Sequence, residues 1–200
     1  MIAKLIDWSA HPTKGNPERL LSRYSLYAGL DVGRFVHPSH LAVIVPLERD
    51  DSGVPAHKRH FVQVASVWLD DEPYVEQIKV IKEVLAVGVG SRKLYYDNTR
   101  GELVALREQG LLPSWWKGVV LTQENKRQMA QRLLLALEQG RLKLLPDERQ
   151  KKSLLQVNNL LKADEVGSEH GEAFTSLCLA LEATRWKPLV KSVYIEGLYG

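Results

Sequence analysis

Three acids stand where a metal-dependent reaction could be built. Asp31 ends the apolar run in "YAGLDVG" (27–33), and Asp97 closes a second run, "KLYYD" (93–97). The stretch "GSEHGEAFTSLCLALEA" (167–183) then opens an amphipathic helix with Glu169, His170 and Glu172 crowded at its start. Singly, each has a plain structural role: an Asp after a strand caps a turn, and an acid in a first helical turn suits the helix dipole. If the two strands are parallel neighbours, however, both aspartates leave the sheet at one edge. An acid from a helix start then completes a set of hard oxygen donors. Mg²⁺ takes one or two carboxylates together with water and substrate phosphate. Two-metal nucleases hold their ions about 3.5–4 Å apart for phosphodiester hydrolysis. Glu172 is the natural third ligand, with Asp164, Glu165 and Glu169 competing for the role.

The elements that must position these acids are legible as alternations of period. "SLYAGLDVG" (25–33), "HLAVIVPLE" (40–48) and "RHFVQVASVWLD" (59–70) read as three strands in succession. The Asp, Ser, Gly and Pro content of the loop over 49–58 suits a hairpin connection, which favours an antiparallel meander. A helix follows over 72–88, with Val75, Ile78, Ile81, Val84 and Leu85 at helical spacing. Next come a strand over 93–97, a helix over 101–110 closed by Gly110, and a strand over 118–122. The helix over 123–140 takes Thr122 as its N-cap and ends at Gly140. "RLKLLP" (141–146) suggests a short edge strand, and a further helix runs over 147–163. In the last helix Phe174, Leu177, Cys178 and Leu181 form the expected buried face. The succession predicts an α/β, RNase H-like fold. Three antiparallel strands lead into alternating βα units, giving a mixed five-stranded sheet flanked by helices, with the first strand beside the fourth.

Composition bounds the reading. At 200 residues, 44% hydrophobic and 26% charged, the chain fits one globular domain. Pro12, Gly15 and Pro17 mark residues 1–22 as a linker or arm, leaving a domain over 23–187 and a tail over 188–200. No run of eighteen apolar residues offers a membrane span, and the N-terminus does not read as a signal peptide. Cys178 is the only cysteine, so no internal disulfide forms and a reducing compartment fits. The net charge of +3 permits nucleic-acid binding without demanding it. P-loop, paired-histidine, zinc and G-x-S-x-G signatures are absent.

Four stretches together, "YAGLDVGRFVHPSHLAVIV", "YYDNTRGE", "LTQENKRQMAQRLLLALEQGRLKLLPDE" and "EHGEAFTSLCLALEA", resemble the nuclease domain of tailed-bacteriophage terminase large subunits, the Mu-like branch above all. The resemblance spans residues 24–186. It implies an endonuclease with two Mg²⁺ or Mn²⁺ ions that cuts double-stranded phage DNA during genome packaging, in the host cell cytoplasm. Its partners would be an ATPase motor domain, a portal and a small terminase subunit. Carried over by motif, the catalytic and metal-binding acids fall on Asp31, Asp97 and Glu172, and the motif histidine on His170. The family's helix-start acid is more often Asp, so Glu172 departs by one methylene. The ATPase motor has no counterpart in these residues, which leaves open an excised domain or a separately encoded nuclease. Phosphate contacts are expected from Arg34, Arg100, Lys126 and Arg127, because packaging cuts need little base readout. Two other readings stand beside this one. One is a non-catalytic RNase H-like module that binds DNA or docks on a portal, with "WKPLVKSVYIEGLYG" (186–200) as a docking tail. The other is a resolvase or integrase-type nuclease.

Overall fold

The computed structural model describes residues 25–33, 37–48, 53–88, 91–157 and 171–186. The arm over 1–22 and the tail over 188–200 lie outside them. Strands β1 (Leu26–Asp31), β2 (Ser39–Pro46) and β3 (Phe61–Leu69) form the expected antiparallel meander. Helix α1 (Tyr74–Ala86) carries the chain to β4 (Arg92–Asp97), which pairs parallel with β1. The short α2 (Val104–Glu108) leads to β5 (Trp116–Val119), parallel to β4, and α3 (Gln123–Glu138) follows. Two residues of β6 (Leu142–Lys143) then pair parallel with β3, before α4 (Glu148–Leu155) and α5 (Glu172–Ala183). The strand order is β5-β4-β1-β2-β3-β6, a mixed sheet of six strands.

Five strands were expected; β6 makes the sixth, at the edge where the short "RLKLLP" run had suggested one. The strand expected over 118–122 sits earlier, at Trp116–Val119. Trp116 is 1% exposed and anchors it, while the Val120 carbonyl accepts from Thr122 N (3.2 Å) and Asn125 Nδ2 (2.7 Å). Those bonds turn the chain into α3, where Thr122 is the N-cap as expected. Val75 keeps helical spacing but is 42% exposed, because the stripe of α1 that meets the sheet is Ile78, Ile81, Val84 and Leu85. Phe174 is likewise only partly buried. The helix expected over 147–163 begins on Asp147 as N-cap and is described as far as Leu155.

The side-chain period of two sends alternate strand residues into two cores. Leu26, Ala28 and Leu30 of β1 and Leu94 and Tyr96 of β4 join α1 on one face. Tyr27 and Tyr95 join α3 and α5 on the other. All eight residues of β2 are buried, which accounts for its nearly unbroken apolar run. Arg132 of α3 pairs with Glu182 of α5. Gln63 of β3 and Gln150 of α4 exchange amide bonds of 2.6 and 2.9 Å, tying α4 to the sheet without leaving a buried amide unpaired.

Gly29 sets how α5 lies on the sheet. A Cβ there would stand 1.9 Å from Ser176 O and 2.4 Å from Ala180 N, so the helix backbone rests directly on β1. Neither atom can swing aside as a flexible side chain would. Gly29→Ala should therefore cost at least the upper end of the usual overpacking range, about 3 kcal/mol. In a chain of this length that is a fall in Tm of roughly 6–12 °C. A thermal melt of Gly29→Ala that matched wild type would show that α5 is not seated on β1.

Candidate metal centre

In the β1–β4 ladder Leu30 is paired with Tyr96, and the next residue on each strand is an acid. Asp31 shares the parity of Tyr27, and Asp97 that of Tyr95, so both carboxylates belong to the face covered by α3 and α5. Glu172 is the first residue of α5 and only 4% exposed, although a carboxylate is rarely buried so deeply. Gly171 before it has φ of +80°, a left-handed turn that glycine makes without a steric penalty. The helix thus begins at the acid itself, at the end of the sheet that carries the aspartates.

The other two acids act on Asp31. Burial pushes the Asp31 carboxyl well above the usual carboxylate range, and the charges of Asp97, Glu172 and Glu102 push it further. Lys126, in the first turn of α3, is the one opposing influence. Asp97 is held by its own turn: its Oδ1 accepts from Thr99 N at 2.8 Å and from Thr99 Oγ1 at 2.5 Å. Thr99 Oγ1 in turn accepts from Leu121 N at 2.8 Å, which locks the β4–α2 turn to the end of β5. Among the described residues, no three His, Cys, Asp or Glu side chains are gathered tightly enough, as they stand, to hold a metal ion.

The donor set nevertheless fits a hard divalent cation. It consists of carboxylate oxygens from Asp31, Asp97 and Glu172, with the charges of the other two bearing on a buried Asp31. Two amide oxygens, Asn98 Oδ1 and Asn125 Oδ1, are buried without a hydrogen-bond partner. Asn98 follows Asp97 directly, and Asn125 precedes Lys126. Uncommitted acceptors are costly when buried; one adjoins Asp97 and the other Lys126, whose charge reaches Asp31.

The remaining expected residues divide. His170, Arg34 and the competing acids Asp164, Glu165 and Glu169 lie outside the described residues. Arg100 is exposed and lines a cleft of about 580 Å³ together with Gly33, His37, Tyr74 and Glu102. Asp71 and Glu72 line it as well, so Arg100 sits among acids and not in a basic track. Lys126 and Arg127 are exposed at the start of α3. Three contributors escaped the sequence reading: Glu102, whose charge reaches Asp31, and the amides of Asn98 and Asn125. All three lie within a few residues of a motif acid or base, and that proximity was the only signal in the sequence.

No family model and no curated relative matches this sequence. Among solved structures, the large terminase nuclease from thermophilic phage G20c with bound magnesium aligns over 80% of this chain and 81% of its own. The TM-score is 0.59 and the identity 18%. The large terminase nuclease domain of Thermus phage P74-26 aligns over 78% of each chain, with a TM-score of 0.57 and 18% identity. The chain has the fold of a terminase nuclease. That fold is RNase H-like, as the order of elements predicted, and at this identity the likeness is one of architecture.

The raised Asp31 pKa has a definite sign. The folded protein holds the Asp31 proton to higher pH than the unfolded chain does. Stability therefore falls as pH rises through the ordinary carboxylate range toward the folded value, and stays lowered above it. Asp31→Asn should raise the Tm of the metal-free protein at neutral pH, by about 2–4 °C for each kcal/mol relieved, and flatten its dependence on pH. Thermal melts in EDTA across pH 4–8 test this, and a Tm lowered by the substitution would contradict the repulsion.

Proposed function

We propose that this chain is a divalent-cation-dependent DNA endonuclease of the terminase type, cutting phage DNA at genome packaging in the cytoplasm of the infected host. The observation that carries the reading is the pairing of Asp31 and Asp97 at adjacent parallel strand ends, with Glu172 brought to the same end by α5. The shared fold with two terminase nucleases, one of them holding magnesium, supports it.

In this reading Asp31, Asp97 and Glu172 hold Mg²⁺ or Mn²⁺, two ions in all. Divalent cations supply Lewis acidity to phosphodiester hydrolysis. Thr99 keeps Asp97 oriented through its two bonds to Oδ1, so one carboxylate oxygen is spoken for and the other is left for the site. Lys126 and Arg127, at the positive end of α3, engage the phosphate backbone beside the acids. The motif resemblance gives His170 one of two roles, to orient an acid or to touch a metal-bound water. By the same resemblance, an ATPase motor domain, a portal and a small terminase subunit are the partners that deliver the DNA. Among the described residues no helix is long and apolar enough to cross a membrane. A second reading, a DNA-binding module without chemistry, is favoured by the open spacing of the acids.

Supercoiled plasmid with Mn²⁺ or Mg²⁺ separates the two. Wild type should nick and linearise it, EDTA should stop the reaction, and Asp31→Ala and Asp97→Ala should abolish cleavage while leaving the protein folded. Thr99→Ala should slow cleavage by about 10–100-fold, the usual effect of losing a residue that orients a ligand. Plasmid left intact by wild type with either ion would leave the binding module. Undiminished cutting by Glu172→Ala would move the third ligand to Asp164 or Glu169. Lys126→Ala should weaken DNA binding alike for all sequences and reduce the salt slope by about 1.

A further inference from the structure

A buried polar chain runs beside the acids, and the proposed chemistry does not use it. His40 lies directly opposite Asp31 in the β1–β2 ladder and is fully buried. Its Nδ1 is 2.5 Å from Ser176 Oγ of α5, and its Nε2 is 3.0 Å from Ser66 Oγ of β3. Ser66 Oγ donates at 2.5 Å to Asp147 Oδ2, the N-cap of α4, which also accepts from Trp68 Nε1 at 3.3 Å. His40 and Trp68 pack ring against ring, with centroids 4.4 Å apart. Three elements, β2, β3 and α5, thus meet on one imidazole, and Ser66 carries the chain on to α4.

The order of donation follows from valence. Asp147 is an acceptor; burial opposes its charge, but the bonds from Ser66, the Gln150 amide, Trp68 and the Arg149 amide hold its carboxyl below the usual range. Ser66 spends its one proton on Asp147, so its oxygen accepts from His40 Nε2–H. Burial disfavours a charged imidazole, and in the neutral ring Nδ1 is left to accept from the Ser176 hydroxyl. That hydroxyl also lies 3.0 Å from Ala173 O, so one proton serves two acceptors.

The position of Ser176 gives the chain its meaning. It stands one helical turn after Glu172, and its backbone carbonyl is the atom that abuts Gly29. Ala173 N, the next amide after Glu172, donates to Ser153 Oγ of α4 at 3.2 Å. The first turn of α5 is therefore tethered to β2 through His40 and to α4 through Ser153. Both tethers are side-chain bonds in a place where Gly171 offers no capping side chain.

We propose that His40 is a positioning residue for the acid cluster: from its place across the ladder from Asp31 it holds the α5 turn that carries Glu172. This rests on the nuclease reading above. Loss of His40 loosens the spacing of Glu172 from the two aspartates and with it the grip on a divalent cation. Groups that orient metal ligands typically change metal affinity by about 10–100-fold when removed.

The test is Mn²⁺ binding to the full chain by titration calorimetry, with folding followed by circular dichroism. Wild type should bind Mn²⁺, and His40→Ala should bind it about 10–100-fold more weakly. Ser176→Ala should act in the same direction, and the double variant should be no worse than His40→Ala, because both belong to one chain of bonds. Ile81→Ala, a core truncation on the opposite face, should lower Tm without changing Mn²⁺ affinity. The His40 ring nitrogens should show the Nε2–H tautomer by NMR in wild type. Wild-type affinity in His40→Ala overturns the proposal. If that variant fails to fold, wild-type affinity in both Ser176→Ala and Ser66→Ala overturns it equally. No Mn²⁺ binding by wild type removes the nuclease reading and this inference together.

Discussion

The closeness of α5 to β1 governs the acid end of the molecule. A helix packed on a sheet through side chains stands off it by their length; here the missing side chain of Gly29 lets helix backbone touch strand backbone. That contact falls two residues before Asp31 and one helical turn after Glu172. It therefore sets the offset between a strand carboxylate and a helix carboxylate, and the parallel pairing of β1 with β4 sets the other offset, between Asp31 and Asp97. The buried faces of α5 and α3, with Leu177, Ala180, Leu133 and Ala136, keep the contact closed.

A protein that crowds like charges in a poorly solvated place does so against its own stability, and the surroundings show how the arrangement persists. Asp97 is bound to its turn, Glu172 is set in a helix whose first turn is tethered on two sides, and Lys126 supplies partial compensation. Strain of this kind is characteristic of functional sites, where the surroundings hold a group in a state it would not choose alone. Two polar clusters farther off are internally matched: Gln63 with Gln150, and Asp147 with Ser66 and two α4 amides.

Much of this was legible in the sequence, for reasons that lie in the chain's local periodicities. Asp31 and Asp97 each end an apolar run, and three strands followed by βα units admit few sheet orders, so the neighbouring of β1 and β4 followed. Thr122 as N-cap was readable because capping is a local property. Relations across space were not readable. Gly29 looks like any strand glycine until a helix is laid on it. His40 sits in a strand with nothing nearby in sequence to suggest Ser66, Asp147 or Ser176 as partners. Val75 obeys the helical spacing and still faces water, since spacing defines a stripe but not which stripe meets the sheet.

One capping arrangement carries a consequence for how the molecule opens. The helix that bears Glu172 begins on a glycine, and the hydroxyl that serves its Ala173 amide comes from α4, twenty residues earlier in sequence. Release of α4 from the sheet therefore uncaps α5 in the same event. The turn that bears Glu172 thus leans on a short, polar, eight-residue helix that contributes no acid to the cluster.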